Sequence, residues 1–192
     1  MIYKNIPTII LCGGLGTRLR EETEFKPKPM VLIGGKPILW HIMKIYAHYN
    51  YNEFIIALGY KGDTIKEYFL RQKFFLNDFT VNTSGNKIHF HNNEADDFNI
   101  TFAETGLESL TGERILRVKK YIEDEFMVTY GDGVSDINIK QLVAFHNQQG
   151  TIGTITGVHP YSKYGLVRID AEKQLAIGGD QKPFMQDYVS GG

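Results

Sequence analysis

Cysteine occurs once in the 192 residues, as Cys12. No internal disulfide can form, and a reducing cytoplasm is the expected setting. No apolar run approaches the ~18 residues that span a bilayer, so no membrane partner is expected. The briefly apolar start at 6–12 is followed by two arginines without a small-residue cleavage site, which reads as a buried strand and not a signal peptide. An excess of one charge is missing too. Twenty-one basic residues face 22 acidic ones, for a net charge of −1, which leaves no basic footprint for nucleic acid. Proline occurs six times and tryptophan once, and the chain has no internal repeat or low-complexity stretch. What is present, 42% hydrophobic and 22% charged residues, is the composition of a single globular domain over 1–192 with a core of its own.

Short apolar runs alternate with longer amphipathic ones, the pattern of βαβ architecture. Thr8–Cys12 reads as a buried strand entering a glycine loop. Pro37 opens a helix on which Leu39, Ile42 and Tyr46 share a face. Glu53–Leu58 reads as a strand, and Asp63 or Thr64 can cap a helix running to about 74. Ser84-Gly85-Asn86 marks a turn between two extended runs, with 98–103 another strand. Residues 112–121 read as helix and 125–130 as strand. A helix over 138–149, with Leu142 and Phe145 inward, precedes a β-branched strand over 151–158. Strand-and-turn material follows.

Chemistry concentrates first in Leu11-Cys12-Gly13-Gly14-Leu15-Gly16-Thr17-Arg18-Leu19. Glycines let backbone N–H groups approach an anion, and an arginine adds a charge-assisted phosphate contact. The spacing matches neither the Walker loop nor the dinucleotide fingerprint, and glycine alone equally suits a tight strand-to-helix turn. Next comes Lys26-Pro27-Lys28-Pro29-Met30, where proline keeps the lysines on an extended, stiff segment, then Gly34-Gly35-Lys36-Pro37. Asp132 lies between Gly131 and Gly133 just past an apolar strand, where open α/β sheets place ligands. A single hard carboxylate there suits Mg²⁺, which keeps waters and phosphate oxygens as its other ligands.

In this order the motifs resemble the sugar-phosphate nucleotidyltransferase family. Ile38-Leu39-Trp40-His41-Ile42-Met43-Lys44 and Tyr130-Gly131-Asp132-Gly133-Val134-Ser135-Asp136 resemble its branch that transfers cytidylyl groups to glucose 1-phosphate. The resemblance implies an α/β, Rossmann-like fold with a mixed, mostly parallel sheet flanked by helices and an inserted β-hairpin region. It implies CTP as donor, Mg²⁺ as cofactor, a phosphorylated acceptor and release of pyrophosphate. By it, Leu11, Gly13, Gly14, Gly16, Thr17, Arg18, Lys28 and Gly131 would contact nucleotide, Ser109 and Arg114 would read the base, and Asp132 would hold the metal. Arg18, Lys28 and Asp132 form the expected catalytic set. The chain is expected to lack the family's C-terminal part, with its second metal-binding aspartate, and the full-length protein to be a homo-oligomer.

Gln181-Lys182-Pro183 resembles the family's Glu-Lys-Pro, whose lysine holds the acceptor's phosphate, and Tyr188-Val189-Ser190-Gly191-Gly192 a segment written Trp-Ile-Asn-Gly-Gly. Tyr164, Gln181, Lys182 and Ser190 are thus the acceptor candidates. An amide at 181 loses the charge-assisted bonds that a carboxylate makes to sugar hydroxyls, and it suits an acceptor carrying amide, amine or carboxylate groups. A related branch acts on phosphorylated glutamine for capsule phosphoramidate. The surface-polysaccharide precursors of bacteria are the expected products, with a non-catalytic nucleotide-binding regulator as the alternative from another class. His89 and His91 share one strand face without an evident third ligand. Cys12 reads as a packed small residue, and Tyr68, Phe69, Phe74, Phe75 and Phe79 as core or subunit contact.

Overall fold

A computed structural model describes residues 6–14 and 26–191 of the chain. Two units divide between Lys140 and Gln141. In the first, the elements in chain order are β1 (Thr8–Cys12), a 3-10 turn (Lys28–Met30), the two-residue strands β2 (Leu32–Ile33) and β3 (Lys36–Pro37), α1 (Ile38–His48), β4 (Glu53–Leu58) and α2 (Gly62–Leu76). There follow β5 (Phe79–Asn82), β6 (Lys87–Phe90), β7 (Asn99–Glu104), α3 (Thr111–Val118), β8 (Met127–Tyr130) and the first residues of α4 (Ile139–Gln149).

The central sheet has the order β7-β4-β1-β8, and every neighbouring pair in it is parallel. The antiparallel ribbons are two-stranded, among them the expected hairpin β5–β6, in register from Phe79↔Phe90 to Asn82↔Lys87. Between β2 and β3, Gly34 and Gly35 both have positive φ, 56° and 80°. Such a two-residue turn matches the strand twist and excludes most side chains.

The strands are apolar on both faces because both are covered. Ile10, Cys12, Phe54, Ile56 and Leu58 pack with Leu39, Ile42 and Met43 of α1 and Ile65 of α2. The alternate residues Ile9, Leu11, Ile55 and Ala57 pack with Ala103 of β7 and with Val118 and Ile115 of α3. Alternation along each strand therefore builds two cores, one per face.

The helix over 62–76 starts two residues earlier than its capping signal implies. Lys61, at φ 53°, occupies the N-cap, and Asp63 sits in the first turn. There its charge still favours the helix N-terminus. Of the aromatic cluster, Tyr68 and Phe69 pack on the core. Phe74 and Phe79 instead join Phe90 in a separate group, and Phe75 is 78% exposed.

One polar knot fixes the loop entering β7. Asp96 accepts from Trp40 Nε1 (2.6 Å), Lys44 Nζ (3.0 Å) and Gln72 Nε2 (3.1 Å). Burial pushes this carboxyl up, but the donors of Trp40, Lys44 and Gln72 outweigh it and hold it below the usual range. A depressed carboxylate stabilises the fold fully above its unfolded value of ~3.9, and that contribution disappears as pH falls through the folded value. Asp96→Asn is expected to cost about 1–3 kcal/mol at pH 7. Urea unfolding should show that difference shrinking steadily below about pH 4.

In the second unit, β10 (Leu166–Asp170) and β11 (Leu175–Asp180) pair antiparallel. The short β9 (Gly157–Val158) pairs with β12 (Val189–Ser190). The strand expected over 151–158 is thus only its last two residues. A strand needs a partner ladder, and among the described residues only Gly157 and Val158 find one. Phe145, expected inward, is 52% exposed.

Candidate active site

Open parallel sheets bind ligands beyond the carboxyl ends of their strands, where the order reverses. Here that point is β1, since successive connections lead to β4 on one side and to β8 on the other. Gly13 and Gly14 follow β1, Gly59 follows β4, Thr105–Ser109 follow β7, and Gly131 and Asp132 follow β8. Four strand ends thereby deliver small or polar residues to one edge.

Lys28 joins them through packing. Gly131 is buried and donates its N–H to Leu11 O (3.1 Å). A Cβ on it would lie 2.6 Å from Cys12 Sγ and 3.0 Å from Pro29 Cγ, so Pro29 rests on a surface that only glycine leaves open. The neighbours of this contact are Lys28 and Asp132. Lys28 Nζ lies 3.4 Å from Asp132 Oδ2, with side chains 25% and 41% exposed. The 3-10 turn holds Lys28 in place through Met30 N–H to Pro27 O (2.8 Å) and Val31 N–H to Lys28 O (3.0 Å). The alternation of lysine and proline, legible in sequence, thus becomes an ammonium aimed at a carboxylate.

Cys12 beneath them is buried, and burial, with the Asp132 charge, pushes its thiol far above the ordinary range. It fills space and carries no thiolate reactivity.

Arg114, on the inner face of α3, is 5% exposed. Nη1 donates to Leu58 O (3.2 Å), Thr105 Oγ1 (2.6 Å) and Gly106 O (2.7 Å), and Nη2 to Gly13 O (3.0 Å) and Leu107 O (3.2 Å). Burial lowers its affinity for the proton. Ser109 lies at the same edge, its hydroxyl 3.1 Å from where a Cβ on Gly106 would stand, and it bonds Glu113. Gly59 and Thr105 were not singled out from sequence. The signal for Gly59 was its place at a strand end, and nothing local marked Thr105.

Gly16, Thr17 and Arg18, with Leu15, lie outside the described residues. Among the described residues no group of three or more His, Cys, Asp or Glu converges as a metal cluster. His91 bonds Thr80 (2.8 Å) and stacks edge-on with His89. In the second unit, Lys182 adopts a left-handed φ of 46°. The Gln181 amide oxygen lies 3.4 Å from a Cβ position on Gly165, next to the exposed Tyr164. Ser162 N–H to Pro183 O (2.8 Å) and the stacked Tyr161–Phe184 pair (3.9 Å) hold this edge together. Ser190 sits apart from it, on β12 opposite Gly157.

A parallel sheet flanked by helices, with Gly13, Lys28 and Asp132 near its switch point, defines an open α/β protein of the Rossmann-like kind. Residues 7–183 match the family described as nucleotidyl transferase, and the chain belongs to that family. It is 45% identical over 185 residues to the probable glucose-1-phosphate cytidylyltransferase of Bacillus subtilis, covering 96% of this chain and 72% of that one. It is 47% identical over 165 residues to the glucose-1-phosphate cytidylyltransferase of Salmonella typhi, covering 85% of this chain. The match spans 64% of the Salmonella protein, less than two thirds of its length. Among solved structures, HddC from Yersinia pseudotuberculosis complexed with GMP-PN superimposes with a TM-score of 0.60 at 25% identity, over 92% of this chain and 69% of that one.

Proposed function

We propose that the chain forms the nucleotide-binding core of a cytidylyltransferase, which transfers CMP from CTP to a sugar phosphate and releases pyrophosphate. The observation that carries this reading is the Lys28–Asp132 pair beside the Gly13-Gly14 loop at the switch point of the sheet. The identity to cytidylyltransferases over most of the chain supports the choice of base and reaction.

Lys28 would neutralise the triphosphate together with Arg18, while the N–H groups of the glycine loop cradle it. Gly131, buried against Cys12 and Pro29, sets Asp132 at the phosphates' edge. Asp132 fits a magnesium ion, because one exposed carboxylate with phosphate oxygens and waters completes the set such ions take. Bound there, the metal supplies charge neutralisation and orientation of the phosphates. An acceptor phosphate oxygen attacks the α-phosphorus in line, and pyrophosphate leaves. Positioning and charge stabilisation suffice, with no covalent enzyme intermediate. Ser109 would contact the base. A cytoplasmic homo-oligomer that makes precursors of surface polysaccharide belongs to the same reading.

For the acceptor, glucose 1-phosphate follows from the relatives' names. Gln181, an amide whose oxygen lies near Gly165, favours a second reading in which the acceptor is an amide-bearing phosphate such as phosphoglutamine. Thermal unfolding with CTP, UTP, dTTP, ATP and GTP, with and without Mg²⁺, tests the nucleotide. CTP at 100 times its dissociation constant should stabilise by about 2.7 kcal/mol, more than the other nucleotides do. Equal shifts for all five would discard cytosine selectivity. Pyrophosphate release with glucose 1-phosphate or phosphoglutamine then decides the acceptor.

A further inference from the structure

Stacked aromatic rings are usually enclosed, because burial is what aromatic surface gains from. In the second unit Tyr161 and Phe184 stack with 3.9 Å between centroids and planes inclined by 29°, yet they stay 63% and 62% exposed. They meet across an antiparallel bridge. Met185 N–H to Pro160 O (2.9 Å) closes it at one end and Ser162 N–H to Pro183 O (2.8 Å) at the other. Holding the bridge together uses one face of each ring, and the outer faces are left to solvent.

Beyond the Ser162–Pro183 bond, the next residue on each strand is a lysine, Lys163 and Lys182, both exposed. Among the described residues neither makes an ion pair, while the acids Asp170 and Asp180 of this unit are taken by Lys173 and Arg168. Two ammonium groups that leave one end of a bridge without a carboxylate repel each other, and an anion between them removes that repulsion. Lys182 is also held in the left-handed region at φ 46°, a conformation that a side chain disfavours.

We propose that Tyr161, Phe184, Lys163 and Lys182 form one binding surface for a hexose phosphate, with the pyranose ring on an outer aromatic face and the phosphate between the ammonium groups. The C–H face of a pyranose is its apolar face, and its polarised hydrogens are attracted to the negative face of an aromatic ring. Lysine meets phosphate as a point charge and needs no fixed fork geometry, which suits two exposed side chains. An acyclic phosphate such as phosphoglutamine brings the anion but no ring, so the surface favours the sugar of the two acceptors above. The choice of ligand rests on that sugar-phosphate reading. Tyr161, Phe184 and Lys163 go beyond it, since the resemblance implies only Lys182 of the four.

Calorimetric titration of the full chain, without nucleotide, measures its affinity for glucose 1-phosphate, glucose, inorganic phosphate and phosphoglutamine. Wild type should bind glucose 1-phosphate more tightly than the other three. Phe184→Ala and Tyr161→Ala should each weaken glucose 1-phosphate by about 2- to 10-fold and leave inorganic phosphate unchanged, while Phe184→Tyr keeps the wild-type affinity. Lys163→Gln should weaken glucose 1-phosphate and inorganic phosphate alike. Unchanged affinity for glucose 1-phosphate in both alanine variants overturns the proposal. Equal losses of glucose 1-phosphate and inorganic phosphate in them overturn it in favour of a purely structural stack, and phosphoglutamine bound as tightly as glucose 1-phosphate overturns it too. Should the variants not fold, saturation-transfer NMR on wild type decides. Irradiating the aromatic protons should reach the C–H protons of glucose 1-phosphate, and no transfer overturns the proposal. A melting shift with CTP but no binding of glucose 1-phosphate overturns this surface alone. Glucose 1-phosphate bound without a CTP shift overturns the nucleotide reading alone.

Discussion

Asp132→Asn is expected to lower turnover by about a thousandfold, on the order of 4 kcal/mol of transition-state stabilisation, while leaving the fold intact. The substitution keeps size and one acceptor oxygen. It removes the negative charge that Asp132 offers to a cation, and it removes the charge partner of Lys28 Nζ, 3.4 Å away. The side chain is 41% exposed, and exposed pairs contribute little to stability, about 0–1 kcal/mol. Melting temperature and kcat should therefore separate, with the first nearly constant and the second collapsing. Pyrophosphate release at saturating CTP and acceptor measures the one, and calorimetry the other. Full turnover in Asp132→Asn would remove Asp132 from the metal role.

The second large effect falls on stability. Gly13→Ala is expected to cost about 3 kcal/mol or more, because the added methyl would overlap Arg114 at 2.1 Å from Nη1 and 2.2 Å from Cζ. A flexible surface arginine would swing aside. This one is bonded to Gly13 O, Leu58 O, Thr105 Oγ1, Gly106 O and Leu107 O, so displacing it leaves buried donors and acceptors unpaired at about 1–3 kcal/mol for each group. For a chain of this size the melting temperature should fall by roughly 6–12 °C. Gly14→Ala is the control. A Cβ at Gly14 meets nothing within 4 Å, and its melting temperature should stay close to wild type. Equal losses at both positions would mean that the loop demands glycine for its backbone angles, and not for the guanidinium beside it.

Some of this protein was determined by sequence alone, and the reason is local in each case. Thr8–Cys12 and Glu53–Leu58 are continuous apolar runs ended by glycine, and a strand buried on both faces has no other pattern available. The hairpin β5–β6 followed from Ser84-Gly85-Asn86, and the helix at Ile38 from its proline and its 3.6-residue spacing. Gly131 and Asp132 could be placed because a loop after an apolar strand in a parallel sheet faces the ligand edge wherever the sheet lies. The 151–158 run shows the limit of local reasoning. Its β-branched residues have strand propensity, but pairing is supplied by another part of the chain, and only Gly157 and Val158 obtain it.

Tertiary structure decided what depends on distant partners. No spacing in the sequence relates Lys28 to Asp132, 104 positions apart, until Pro29 packs on Gly131. By spacing alone Arg114 is only a residue within the helix expected over 112–121. Its cage is assembled from three strand ends, the farthest of them 101 positions away, and only the order of strands in the sheet brings these ends together. The sequence carried the chemical groups; folding set which carbonyls the guanidinium meets.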